Sequence, residues 1–225
     1  MPDSFLEIWH GDILSVNIER QDYYAFLSDE EKLKATTFLR PELQKKYIKT
    51  RGALRKVLAS YLNINPQSIC IKTGKYGKPF IENEIFFNLT HAGNKFAIAV
   101  SNCSEVGIDL ECHKNRINLQ GLVGKCFSKQ EKAYWQALAK EQQEIMFYRF
   151  WVRKEALVKA VGRGIALGLN QCVVDPLNQL CFIDIPSDSG EAGEWKIVEV
   201  TLNKDYVCAV VINDVEFNYR LKELK

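Results

Sequence analysis

The run from Phe147 to Gly164, FYRFWVRKEALVKAVGRG, constrains the fold of this chain more than any other stretch. Read at helical spacing, Phe147, Phe150, Trp151, Ala156, Leu157, Ala160 and Val161 make an apolar face, and Gly162 suits a helix stop. Glu155 and Lys159 stand four residues apart on this helix. Their carboxylate and ammonium therefore share a face, about 5–6 Å apart at Cβ. Most pairs at this spacing are surface ion pairs that stabilise a helix by a few tenths of a kcal/mol. Alone, the helix does not exceed that reading.

A second stretch, Val106-Gly107-Ile108-Asp109-Leu110-Glu111, reads as a strand with Ile108 and Leu110 on one side and Asp109 and Glu111 on the other. The two carboxylates stand about 6.6 Å apart along the chain. Without a cation they repel and raise each other's pKa. Oxygen ligands so spaced suit a hard divalent ion such as Mg²⁺, which leaves coordination positions open for substrate phosphate. A solvent-facing strand edge is the plainer reading of an acidic pair.

Composition removes several classes of function. Hydrophobic residues at 47% and charged residues at 26% are ordinary globular values, enough for a sizeable core. The net charge, 30 − 28 = +2, is too near zero for a nucleic-acid binder. No apolar run approaches the roughly 20 residues of a membrane helix, and the acidic start MPDSFLEIWHGDIL lacks the basic region of a signal peptide. The seven cysteines are scattered and odd in number, without a C-x-x-C, so a reducing cytoplasmic setting is expected.

Taken in order, Leu6–Ile18 reads as a strand and its turn. Ser28 with Glu31, and later Ser128 with Glu131, form capping-box patterns that open helices to about Leu39 and Lys140. Pro41 begins a longer helix whose buried stripe is Leu43, Tyr47, Leu54, Val57, Leu58, Tyr61 and Leu62. Its other faces carry lysines and arginines, by default a solvated face and otherwise an anion site. A short strand at Ile69–Lys72 and the turn Gly74-Lys75-Tyr76-Gly77-Lys78-Pro79 come next. Strands Ile85–Leu89 and Phe96–Ser101 flank a hairpin-like loop, Thr90 to Asn94, that holds His91. Asn115–Lys125 is a mixed, partly helical stretch. Strands are expected at Val173–Val174, Leu180–Ile185, Trp195–Thr201 and Tyr206–Ile212, with a tail at Phe217–Leu221. This pattern is α+β with antiparallel sheet, split into residues 1–105 and 106–225, and no residue-level repeat is visible.

Three blocks now stand in order. They are Phe87-Asn88-Leu89-Thr90-His91, Gly107-Ile108-Asp109-Leu110-Glu111, and Phe150-Trp151-Val152-Arg153-Lys154-Glu155-Ala156 followed by Lys159 and Gly162-x-Gly164. Together they resemble the signature of the Sfp-type 4′-phosphopantetheinyl transferases. The Tyr76–Pro79 turn and the Arg51–Arg55 helix fit the same family, and the match runs from about residue 28 to 165.

The resemblance implies two similar α+β halves with small antiparallel sheets, related by a pseudo-twofold axis, with coenzyme A in the cleft between them. It implies transfer of the phosphopantetheine arm of coenzyme A to a serine of an apo acyl or peptidyl carrier protein, releasing 3′,5′-ADP. Asp109, Glu111 and Glu155 match the family's magnesium ligands, with Mn²⁺ the alternative ion. Arg51, Lys78, Thr90 and His91 match positions that hold the adenosine and its 3′-phosphate, and Lys154 and Lys159 match lysines near the phosphates. Glu155 is expected to take the serine proton and Lys159 to assist the departing 3′,5′-ADP.

The family writes Ser-His-Ser where this chain has Thr90-His91-Ala92; threonine keeps the hydroxyl, and Ala92 removes one hydrogen-bonding group. Layout places carrier-protein contacts near Lys114–Lys125, and a pseudo-dimeric chain is expected to act as a monomer. The rival readings are a magnesium phosphohydrolase, against which the missing P-loop argues; a non-enzymatic coenzyme A or carrier-binding module; and a metal-free structural domain.

Overall fold

Both capping boxes form. The computed structural model describes residues 4–15, 22–113, 118–213 and 218–224. In it Ser28 Oγ accepts from Glu31 N to open α1 (Asp29–Thr36), and Glu31 returns a hydrogen bond to the Ser28 amide. Pro41, which has no N–H to lose at a first helical position, opens α2 (Pro41–Leu62). In the second half come α3 (Leu119–Cys126), α4 (Lys129–Ala137), opened by Ser128 and Glu131, and α5 (Lys140–Val161). The last includes the helix read from Phe147 onward, and it ends at Gly162 in the left-handed region, φ 76°.

A duplication that the residues alone do not betray is visible here. The long helices α2 and α5 each have 22 residues, and each follows a short helix opened by a serine–glutamate box. In each half the boxed glutamate takes a cation from the long helix. Glu31 is paired with Arg51 at 2.8 Å and with Arg55; Glu131 is paired with Lys154 at 2.6 Å. The cap that starts one helix thus becomes the anchor for the next.

The strands are β1 (Phe5–Asp12), β2 (Lys72–Thr73), β3 (Pro79–Phe80), β4 (Phe86–Ala92), β5 (Lys95–Ser101), β6 (Val106–Cys112), β7 (Val173–Val174), β8 (Phe182–Asp184), β9 (Trp195–Val200), β10 (Tyr206–Asn213) and β11 (Asn218–Glu223). One sheet has the order β11-β1-β5-β4 and the other β6-β10-β9, with β2–β3 and β7–β8 as small pairs. The fold is α+β as expected. One element departs from small antiparallel sheets: β11 adds to β1 in parallel, so the end of the chain returns to the first sheet. Lys222 of β11 donates to Glu7 of β1 and lies over the Trp9 ring, 4.8 Å from its centroid, which holds the returning strand in place.

A further difference lies at His91. Expected in a loop, it sits in β4 paired with Phe96, because the turn shrinks to Gly93 and Asn94 and the ladder runs on through Ala92. The first short strand likewise begins only at Lys72. The expected turn ending at Ile18, the opening of the Lys114–Lys125 stretch and the start of the tail at Phe217 lie outside the described residues.

Three cores hold the layers. Leu54, Val57 and Leu58 of α2 pack on Phe87, Phe96 and Ile98. Leu6, Ile8, Ala97 and Ala99 of the first sheet face Ile108, Leu110, Cys208 and Val210 of the second. Phe147, Phe150, Leu157 and Ala160 of α5 cover Val207, Ala209 and Val211. The order is therefore helix, sheet, sheet, helix.

Helix α5 approaches β6 most closely at Gly107, where an added Cβ would lie 2.0 Å from Ala156 O and 2.4 Å from Ala160 N. Both obstacles are backbone. Gly107→Ala is therefore expected to lower the unfolding free energy by about 2–3 kcal/mol, the upper part of the range for overpacking. A urea midpoint equal to that of the wild type would show that α5 has room to retreat.

Candidate active site

Alternation along β6 sends Ile108 and Leu110 into the core between the sheets and turns Gly107, Asp109 and Glu111 toward α5. Asp109, only 6% exposed, is the centre of the resulting group. Its Oδ1 accepts from Lys159 Nζ at 2.6 Å and from Thr90 Oγ1 at 3.4 Å. The same ammonium donates to Thr90 Oγ1 at 3.3 Å and to Ile108 O at 3.2 Å. Lys159 thereby joins α5 to β6 and, through Thr90, to β4 of the other half.

Glu155, one turn before Lys159, faces the same group. Its pKa is raised, first by burial and then by Asp109, with Glu111 adding to the effect and Lys159 partly opposing it. Mutual repulsion of this kind requires the three carboxylates to share one region. They do so loosely: among the described residues, no three Asp, Glu, His or Cys side chains gather into a preformed metal centre. The donors nonetheless suit a hard cation. All are oxygens, and Asp109 Oδ2 is buried and meets no hydrogen-bond partner among the described residues.

Beside this group runs a cleft of about 230 Å³ between the turn Tyr76–Pro79, Asn88 and Leu89 of β4, and Val158, Lys159, Gly162 and Gly164. A second pocket of about 280 Å³ shares Lys78, Pro79 and Gly162 with it and adds Phe80, Phe87 and Glu105. A larger groove of about 760 Å³ at the start of α4 shares no lining residue with either. Lys78 spans the halves: its ammonium donates to Ala160 O at 2.6 Å and is paired with Glu105. Burial lowers its pKa, with Glu105 opposing. A Cβ at Gly162 would come 3.0 Å from Lys78 Cδ, so the glycine makes room for the lysine stem as well as ending the helix.

His91 keeps an exposed edge, yet its pKa is lowered by partial burial and by Lys46 and Lys159. Lys46 donates to Gly93 O at 3.1 Å. The end of β4 is thus ringed by cations, and Lys46 was hidden in the sequence among the other lysines of a basic helix face.

Two expected cations are engaged by partners within the fold. Arg51 is tied to α1 through Glu31. Lys154 is wholly enclosed and not open to phosphate. Its three donors go to Glu131 Oε2 at 2.6 Å, Leu169 O at 2.9 Å and Cys126 O at 3.1 Å. Glu131 Oε1 in turn accepts from Val174 N at 3.0 Å. Adjacent residues of α5 thus have opposite surroundings, because successive side chains on a helix point about 100° apart.

Fold and cleft define an α+β protein whose carboxylate–lysine group suits cation-assisted chemistry on phosphates. Residues 17–103 match a family model described as 4′-phosphopantetheinyl transferase, N-terminal, and residues 105–211 one described as 4′-phosphopantetheinyl transferase superfamily. The 4′-phosphopantetheinyl transferase HetI of Nostoc is 30% identical over 92% of this chain and 87% of its own length. The transferase gsp of Aneurinibacillus migulanus is 31% identical over 70% of this chain and 67% of its own. Sfp of Bacillus subtilis is 29% identical over 68% of this chain and 67% of its own. The chain belongs to the 4′-phosphopantetheinyl transferase superfamily and is an enzyme of that kind. No described helix is long and apolar enough to cross a membrane.

Proposed function

We propose that the protein transfers the 4′-phosphopantetheine arm of coenzyme A to the serine hydroxyl of an apo acyl or peptidyl carrier protein and releases 3′,5′-ADP. The observation that carries this reading is the meeting of Asp109, Glu155, Lys159 and Thr90, drawn from both halves, beside the Lys78 cleft. Asp109, Glu111 and Glu155 would hold Mg²⁺, or Mn²⁺ in its place. Once bound, the ion supplies Lewis-acid polarisation of the diphosphate and a template for in-line attack.

Glu155 accepts the serine proton, directly or through water. Its raised pKa brings it nearer the operating pH, where a general base is most effective. The bond from serine oxygen to phosphorus forms as the phosphoanhydride bond to 3′,5′-ADP breaks. Lys159 hydrogen-bonds the departing phosphate oxygen, and its charge is favoured there by the phosphates. Residues 1–105 supply the nucleotide contacts, through Lys78, Thr90, His91 and Arg51, and residues 106–225 supply the carboxylates and α5. The enzyme acts as a monomer in the cytoplasm.

The test is mass spectrometry of a panel of apo acyl and peptidyl carrier proteins incubated with the enzyme, coenzyme A and Mg²⁺. Gain of the phosphopantetheine mass on one class supports the reading and names the acceptor; hydrolysis of coenzyme A without transfer overturns it. The site also makes a pH-dependent prediction. Burial, and then Lys46 and Lys159, lower the pKa of His91, whereas an added 3′-phosphate favours its charged form. Coenzyme A should therefore move its titration, followed by NMR of the ring, to higher pH. An unchanged midpoint would remove His91 from the phosphate contacts.

A further inference from the structure

We propose that Asn88 is a positioning residue that holds the outer edge of β6, and with it Asp109, in the place the transfer reaction needs. β4 and β6 end two different sheets, and no strand ladder joins them. The outward peptide groups of Ile108 are satisfied by side chains instead. Asn88 Oδ1 accepts from Ile108 N at 3.1 Å, and Ile108 O accepts from Lys159 Nζ at 3.2 Å. Asn88 is 5% exposed and Ile108 is fully buried, so the amide oxygen is the acceptor that the Ile108 N–H meets within the fold.

Two residues further along the same face of β4, Thr90 reaches Asp109 Oδ1 at 3.4 Å. Successive inward side chains of β4 therefore address successive residues of β6, one through its backbone and the next through its carboxylate. The neighbouring inward positions on β5 are Ala97 and Ala99, both fully buried, so an apolar residue would suit the slot occupied by Asn88. The amide is there for its acceptor. Gly107 lets α5 close on β6 from one face while Asn88 fixes its edge, and together they settle where Asp109 lies relative to Glu155.

This inference rests on the transferase reading for the reaction it serves, and its test separates the two. Asn88→Leu keeps the shape without the acceptor, and Asn88→Asp keeps an acceptor oxygen. In Asn88→Leu, exchange of the Ile108 amide, followed by NMR, should speed up at least tenfold. Mn²⁺ affinity, read by electron paramagnetic resonance without coenzyme A, should fall about 10–100-fold, as when an outer support of a metal ligand is lost. The kcat should drop by a larger factor than any rise in the KM for coenzyme A, since Asn88 is one of several residues that border the Lys78 cleft. Asn88→Asp, which keeps the acceptor, should stay close to wild type in Ile108 exchange. If Asn88→Leu does not fold, Asn88→Ser, whose oxygen is too short to reach, replaces it with the same expected losses. Protected Ile108 exchange in the acceptor-free variant, or Ile108 exchange in Asn88→Asp as fast as in Asn88→Leu, overturns the proposal. A wild type that modifies no carrier protein sinks the transferase reading instead, and the exchange and Mn²⁺ measurements still decide the role of Asn88.

Discussion

Glu131→Leu is expected to lower the unfolding free energy by about 3–5 kcal/mol, the cost of stranding one member of a fully buried ion pair. Both side chains of the Glu131–Lys154 pair are 0% exposed. Removing the carboxylate leaves the Lys154 ammonium with the carbonyls of Cys126 and Leu169 and the Phe127 ring but no anion, and burial already depresses its pKa. The same substitution deprives the Ser128 and Val174 amides of their acceptor. Glu131→Leu combined with Lys154→Met should recover a substantial part of the loss, because buried pairs replaced by apolar residues are often neutral in stability. Chemical denaturation of wild type, both single variants and the double gives the coupling. Additive losses would show that the pair is not a unit.

Glu155→Gln should remove activity while leaving the fold intact, with kcat lower by about 10²–10⁴-fold, the usual worth of a positioned proton acceptor. Stability should move the other way. The folded pKa of Glu155 is raised, by burial and then by Asp109, so its ionised form is less favourable in the folded chain than in the unfolded one. The penalty is absent below the unfolded value of about 4.3 and grows as the pH passes above it. At neutral pH, in the presence of a chelator, Glu155→Gln should thus be at least as stable as wild type, with the difference vanishing on acidification. A destabilised variant would show that Glu155 has a favourable partner in the fold.

Local signals accounted for much of the architecture. A serine followed three residues later by glutamate opened α1 and α4, since each supplies both partners of a two-way cap within four residues. The 3.6-residue period marked α2 and α5, and the two-residue period in Val106–Glu111 correctly separated the core-facing residues of β6 from its carboxylates. Long-range pairing escaped the same reading. Nothing in the composition of β11 shows that it returns to β1, because strand partners are selected across the whole chain. The sequence suggests a loop at His91, whereas the ladder runs on through Ala92, because turn length depends on how far the strands pair.

The residues proposed for the site divide along the same line. Asp109, Glu111, Glu155, Lys159 and Thr90 were legible from motif order. The destination of Lys154 was not, since a lysine beside Glu155 reads the same whether it faces phosphate or a buried Glu131. The role of Asn88 is not legible in the sequence, because its partner is a backbone amide that carries no sequence signal.

What the sequence determined alone was periodicity, caps and the order of chemically distinctive residues, all set by interactions within a few positions of the chain. Only the tertiary structure decided which of two neighbouring side chains meets the cleft, which glutamate becomes an anchor and which amide steadies β6. Those outcomes depend on groups far apart in the chain that are brought together only when three apolar cores close at once.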